Sequence, residues 1–317
     1  MSGGGGTIPY ERSPAPVALP PRPADGHKGT FGTVVVVGGS ATMPGAAAMA
    51  ARAAFRGGAG LVKVVAEQAV LDRVLAIEPS ATGVASGERL DAGGVIEALR
   101  AADPDGRAVL AVGPGLGRSA EAILPAVSND TRPLVLDADG LNALAASGRR
   151  LRRRAPSVLT PHPGECRRLA DALQLRIDPT DPATRPEVAR RLAEMHEAVF
   201  VLKGAGTVVS DGQRTYVNDT GNVAMATAGM GDVLTGVTAA LLAAGMPAYD
   251  AACLAVWLHG AAGDLWAHRH WDRGLLARDL ADLLPYAFRL AAKRAPASGD
   301  AQPGDVPSLS GSAAPSP

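Results

Sequence analysis

Gly229-Met230-Gly231-Asp232 stands directly before a long apolar run that begins at Val233. Glycines let main-chain N–H groups approach an anion closely, and the first turn of a helix adds unpaired N–H groups and the positive end of its dipole. Such a turn suits a phosphoryl group in transfer, and a carboxylate at its end can accept the proton of the hydroxyl that receives the group. Asp232 could equally cap the helix it opens, and this segment alone does not separate the two readings. Lys203-Gly204-Ala205-Gly206-Thr207 brings a cation and two glycines that could meet nucleotide phosphates, with a plain surface lysine as the alternative. In Pro161-His162-Pro163-Gly164-Glu165 the two prolines stiffen the turn that carries His162. Gly113-Pro114-Gly115-Leu116-Gly117 lacks the full spacing of a dinucleotide fingerprint, and no Walker A lysine motif is present. Asp137 and Asp139 could bind a metal, but capping of the next helix is the favoured role for Asp139, and no residue is assigned as a metal ligand.

These turns need elements to position them. Thr33–Val37 is an unbroken β-branched run, the pattern of a strand buried on both faces in a parallel sheet. Helical spacing follows over Ala46–Phe55, then strands at Leu61–Val65, Ala108–Val112, Leu134–Leu136, Val158–Thr160 and Val199–Lys203. Short helices are expected at Asn142–Ala146 and Glu165–Leu173, and a hairpin around Asp211-Gly212. The remainder reads as helix over Asp232–Ala244, Tyr249–Ala267 and Ala277–Lys293. This order implies an α/β fold, a doubly wound and mostly parallel sheet with helices on both faces. Ligands of such sheets bind outside the carboxyl ends of the strands, where the glycine-rich and polar turns gather.

Composition narrows the possibilities. Lys+Arg and Asp+Glu are both 31, so the chain lacks the basic surplus expected of a general nucleic-acid or anionic-membrane binder. The run Arg149, Arg150, Arg152, Arg153, Arg154 reads as a solvated helix end or loop, and His268 and His270 as solvated. Cys166 and Cys253 are in no metal or redox spacing and fit a reducing compartment. No signal peptide or membrane span is evident, so a cytoplasmic location is expected. Residues 1–26 and 295–317 are rich in Gly, Pro, Ser and Ala and are expected to be unstructured tails, leaving 27–294 as one domain.

Gly229-Met230-Gly231-Asp232-Val233-Leu234-Thr235-Gly236 resembles the anion-hole and base signature of the ribokinase-like superfamily. Val112–Gly117, Leu136–Asn142, Leu159–Glu165, Val201–Thr207 and Lys28-Gly29-Thr30-Phe31-Gly32 narrow the resemblance to the ADP- or ATP-dependent NAD(P)H-hydrate dehydratases. The resemblance implies a ribokinase-like fold and Asp232 as the base, with Gly229 to Gly231 as the anion hole. It puts the nucleotide at Lys203, Gly204, Ala205, Gly206, Thr207 and Gly231. Ala46, Gly115, His162 and Asp232 would contact the hydrated dinucleotide, and Asn222 would help order phosphates. It implies hydrated NADH or NADPH as substrate, ADP rather than ATP as co-substrate, a homo-oligomer (a tetramer), and a separate epimerase as a working partner, since the chain has no room for a fused one. Magnesium is expected from phosphoryl-transfer chemistry in general. A kinase of the same superfamily acting on a thiazole or pyrimidine alcohol, and a non-catalytic nucleotide sensor, are the alternatives.

Overall fold

The computed structural model describes residues 15–294. Nine strands form one sheet: β1 (Thr33–Val37), β2 (Leu61–Ala66), β3 (Thr82–Ala85), β4 (Val109–Val112), β5 (Leu134–Leu136), β6 (Ser157–Leu159), β7 (Val199–Leu202), β8 (Val208–Ser210) and β9 (Thr215–Val217). Their order is β3-β2-β1-β4-β5-β6-β7-β8-β9. The first seven pair in parallel, while β8 and β9 run antiparallel as a terminal hairpin. The hairpin turn is closed by the Asp211 carboxylate, which accepts from the main-chain N–H groups of Gln213 and Arg214.

The β-branched run in β1 follows from burial on both faces. Val34 and Val36 belong to one apolar core, Val35 and Val37 to the other, and all four are fully buried. Helices α1 (Pro44–Arg56), α2 (Gln68–Ile77), α8 (Met230–Ala243), α9 (Ala248–His270) and α10 (Ala277–Arg294) cover the first face. Helices α3 (Ala92–Ala102), α4 (Ser119–Ser128), α5 (Ala138–Ala146), α6 (Pro163–Ala172) and α7 (Arg185–His196) cover the second. The doubly wound, mostly parallel sheet expected from the sequence is therefore what forms.

Helix α1 buries six alanines, Ala47, Ala48, Ala50, Ala51, Ala53 and Ala54, with no residual exposure. It lies so close to α8 that a Cβ on Gly236 would fall 2.1 Å from the Ala50 carbonyl oxygen. The chain leaves β1 toward β2 and β3 on one side and resumes at β4 on the other, so the switch point lies between β1 and β4. The two loops there touch: the Gly39 N–H donates to the Pro114 carbonyl at 2.8 Å.

The expected N-terminal tail needs correction. Residues 1–14 and 295–317 lie outside the described residues, but 15–26 pack onto the domain. Ala15 is buried, and Val17 and Leu19 pack against the first core. Arg22 donates to the Gly58 carbonyl at 2.8 Å and stacks over the Phe31 ring at 3.7 Å. Prolines 16, 20 and 21 restrict the chain before it folds, so ordering this segment costs less entropy than its composition suggests. A chain starting at Asp25 should melt several degrees lower than one starting at Ala15, consistent with loss of about 1–3 kcal/mol of apolar burial. Equal melting curves by circular dichroism would show that the packing adds nothing.

Candidate active site

The carboxyl ends of β5, β6 and β7 meet the start of α8. Asp137 follows β5, Glu165 lies in the first turn of α6, and Lys203 follows β7. The Lys203 ammonium donates to Asp137 Oδ1 at 2.6 Å and lies 3.8 Å from Glu165 Oε2. Thr235 Oγ1, one turn into α8, donates to Asp137 Oδ2 at 2.7 Å. Both Asp137 oxygens are thus engaged in a carboxylate only 1% exposed. Burial opposes the charge on Lys203, but the Asp137 and Glu165 carboxylates prevail and hold its pKa above the ordinary lysine value. The sequence offered Lys203 as a phosphate ligand or a surface residue. Its ammonium is turned inward, against the surface reading, and lies 3.2 Å from where a Cβ on Gly231 would sit.

Helix α8 opens at Gly229, whose φ of +89° is left-handed and whose Cβ would fall 2.8 Å from Ala277 Cβ, so a side chain is excluded twice over. Asp232 sits in the first turn, past the N-cap position, which Gly229 occupies. The capping alternative is therefore not realised. Burial, with Asp137, Asp139 and Glu165 nearby, pushes the Asp232 carboxyl up to about 7 against the opposing charge of Lys203. Behind the turn, His259 on α9 pairs through Nε2 with the Met230 carbonyl at 2.9 Å. Burial lowers His259 to about 4, so it is neutral near pH 7 and donates this bond.

His162 is the N-cap of α6. Its Nδ1 accepts from the N–H groups of Gly164 and Glu165 at 3.0 and 3.4 Å, and Glu165 Oε2 accepts the His162 N–H at 2.8 Å, closing a capping box. With Nδ1 accepting, the ring proton belongs on Nε2, which lies 3.4 Å from Glu165 Oε1. Burial, Lys203 and Arg168 lower the His162 pKa and keep the ring neutral near pH 7. The imidazole is half-exposed, so its Nε2–H is also available to a ligand.

Ala46, in the first turn of α1, and Gly115 are neighbours: a Cβ on Gly115 would lie 2.9 Å from that of Ala46. Asp139 does not cap α5 as favoured from the sequence; its Oδ2 accepts the Gly117 N–H at 2.8 Å and ties the glycine turn to α5. Gly204, Ala205 and Gly206 are exposed, and Thr207 Oγ1 folds back onto the Gly204 carbonyl at 2.9 Å. Asn222 caps the short turn Val223–Met225 and donates to Asp264 at 2.8 Å. Asp264 is buried and also accepts the Gly221 N–H, whereas His268 and His270 are exposed as expected. The arginine run is mostly solvated, although Arg153 bonds the Asp130 and Arg132 carbonyls. His162, Glu165, Lys203, Gly231 and Asp232 thus lie together outside the carboxyl ends of β6 and β7, with Ala46 and Gly115 paired at the switch point. Thr235 stood within the Gly229–Gly236 signature but was given no role, and His259, inside an apolar helical run, was missed.

The model of the NAD(P)H-hydrate dehydratase family matches residues 34–286. The chain belongs to that family. It is 42% identical over 289 residues to a bifunctional NAD(P)H-hydrate repair enzyme of Moorella thermoacetica, covering 86% of this chain and 52% of the relative. The chain spans about half the length of such bifunctional relatives. An ADP-dependent (S)-NAD(P)H-hydrate dehydratase of Bacillus subtilis is 35% identical, with 86% of this chain and 94% of that one covered. The crystal structure of the ADP/ATP-dependent NAD(P)H-hydrate dehydratase of Bacillus subtilis, co-crystallised with ATP and Mg2+, superposes with a TM-score of 0.70 at 33% identity, covering 86% and 94% of the two chains. A hydroxyethylthiazole kinase of Pyrococcus horikoshii, at 18% identity and a TM-score of 0.53, shares the fold alone.

Two outcomes follow from the geometry. Asp232 has a folded-state pKa above its unfolded value, so the stability it contributes is present at low pH and is lost as pH rises toward and through about 7. Asp232→Asn should therefore stabilise the fold at pH 8 by on the order of 2 kcal/mol, read as a higher melting temperature, and by progressively less as pH falls toward about 4. A variant less stable than the parent at pH 8 would contradict this. Loss of the α6 cap in His162→Ala should cost about 1 kcal/mol, whereas His162→Asn, a good N-cap residue, should retain most of it. Equal melting temperatures for the two variants would remove the cap from the account.

Proposed function

We propose that this protein repairs hydrated NADH or NADPH by ADP-dependent dehydration. The observation that carries the reading is Asp232: a half-buried carboxylate with its pKa raised to about 7, placed at the end of the Gly229–Gly231 turn. Its family membership and its similarity to ADP-dependent dehydratases support the same substrate class.

Hydroxide is a poor leaving group, so water is lost slowly from the hydrated ring. Asp232, ionised, accepts the proton of the ring hydroxyl as its oxygen attacks the β-phosphorus of ADP, releasing AMP. The main-chain N–H groups of Gly229–Gly231, at the positive end of α8, hold the transferred phosphoryl group. The ring-nitrogen lone pair then expels phosphate, and loss of a carbon-bound proton restores the dihydropyridine. His162 donates through Nε2–H to the dinucleotide, and Ala46 and Gly115 form the wall against which it lies. The exposed loop Gly204–Thr207 takes the nucleotide, while Lys203 acts from beneath, balancing Asp137 and Glu165 next to Gly231.

Among the described residues no group of three or more His, Cys, Asp or Glu side chains could hold a metal ion. Magnesium would be carried chiefly by the nucleotide phosphates, where it would neutralise charge on the transferring group. No helix of the described residues is long and apolar enough to cross a membrane. A cytoplasmic location, a homotetramer, and a separate epimerase supplying the reactive epimer belong to the same proposal.

The test is incubation with hydrated NADH and either ADP or ATP, followed by the absorbance of reduced nicotinamide. Recovery should require nucleotide and yield AMP from ADP. A stable phosphorylated alcohol without recovery would support the kinase reading. Asp232→Asn should lose about 10²–10⁴-fold in turnover while still binding ADP. Because only the ionised base works, kcat/KM should fall as pH drops below about 7, the value to which Asp232 is raised. A flat profile between pH 6 and 8 would remove Asp232 as the base.

A further inference from the structure

Arg185, the first residue of α7, is 5% exposed and has no carboxylate partner among the described residues. Its Nη2 donates to the carbonyls of Leu202, Lys203 and Gly206 at 2.8, 3.1 and 3.4 Å, and its Nη1 to Pro179 at 3.1 Å. Three of these four carbonyls belong to β7 and the turn after it, and both terminal nitrogens lie 3.4 Å from where a Cβ on Gly204 would sit. The guanidinium is thus the floor of the 203–206 turn. With carbonyls drawn onto it, the N–H groups of Gly204, Ala205 and Gly206 find no acceptor among the described residues, and all three residues are exposed. Successive unpaired N–H groups in a tight turn form an anion-binding concavity.

A buried cation without a counter-ion is costly. Carbonyl dipoles solvate Arg185 but do not neutralise it, and burial works against its charge. A phosphate seated on the outer side of the turn would supply the missing negative charge across a thin, poorly screened layer. We propose that Arg185 is the positioning residue of a phosphate nest at Gly204–Gly206: it draws the turn's carbonyls inward and balances an anionic nucleotide phosphate from beneath. This rests on the nucleotide reading of that turn. Arg185 touches neither ligand nor reacting atoms, so its effect should appear in nucleotide affinity and not in the affinity for the hydrated dinucleotide.

The experiment compares Arg185→Lys and Arg185→Met with the parent, using ADP titrated by calorimetry, KM values for ADP and for hydrated NADH, and hydrogen exchange of the 203–207 amides. Arg185→Met should weaken ADP about ten-fold or more, since it removes several charge-assisted hydrogen bonds along with the charge. Arg185→Lys keeps the charge but not the planar fork, and should fall between. In both, the KM for hydrated NADH should stay within about two-fold, and the protection that bound ADP gives the 204–206 amides should weaken. Should Arg185→Met fail to fold, Arg185→Lys alone decides. An ADP affinity within about two-fold of the parent, or an equal rise in both KM values, overturns the proposal. The readings remain separable: if the parent binds ADP but does not restore NADH, the activity is wrong and the nest is still tested, whereas a parent that does not bind ADP removes both.

Discussion

The buried ion pair between Lys203 and Asp137 is the constraint around which the crevice is arranged. It joins the carboxyl ends of β5 and β7 across β6, and Thr235 extends it into α8. Asp137 is 1% exposed, so removing either partner would leave an uncompensated charge in a dry site, a loss of roughly 3–5 kcal/mol. The pair also sets the electrostatics. Lys203 opposes the rise in the Asp232 pKa, while Asp137, Asp139 and Glu165 push the other way. With one ammonium among several carboxylates, the Asp232 carboxyl is the one raised to about 7, whereas Asp137 is engaged by Lys203 and Thr235 and Glu165 accepts the His162 N–H.

Much of the architecture was legible because burial on both faces leaves a plain mark. The runs at Thr33–Val37 and Val199–Leu202 contain no polar residue after the first position, and no amphipathic alternative fits them. The sheet's outer elements were harder to read. Thr82-Gly83-Val84-Ala85 forms the edge strand β3 with no fully buried residue, and α2, α3, α4 and α7 lie in segments where no chemistry-bearing motif drew notice. The tail rule failed at Ala15–Leu19 because composition counts proline as a disorder former, whereas here it prepares an extended chain for packing.

The candidate site was legible as a set of turns, but the direction of each side chain was not. Lys203 was placed correctly at a strand end, yet nothing local indicates that its ammonium turns toward Asp137, a partner 66 residues away. Asp139 looked like a cap and instead secures Gly117. Arg185 carried no signal at all, since its partners are main-chain carbonyls, which any sequence provides. Functions expressed through backbone geometry leave little trace in residue type.

The alanine face of α1 has a mechanical consequence. Alanine has no side-chain torsion through which to yield, so a core of stacked methyl groups cannot absorb a perturbation by rotamer exchange as a leucine core can. The helix presses on α8 through Ala50 and Gly236, and its first turn meets Gly115 at Ala46. A single added methylene deep in that seam must therefore displace the helix as a rigid rod, and the displacement emerges at the crevice. Adjustment to differently shaped ligands is left to the loops, and the packed interior acts as a fixed gauge of their spacing.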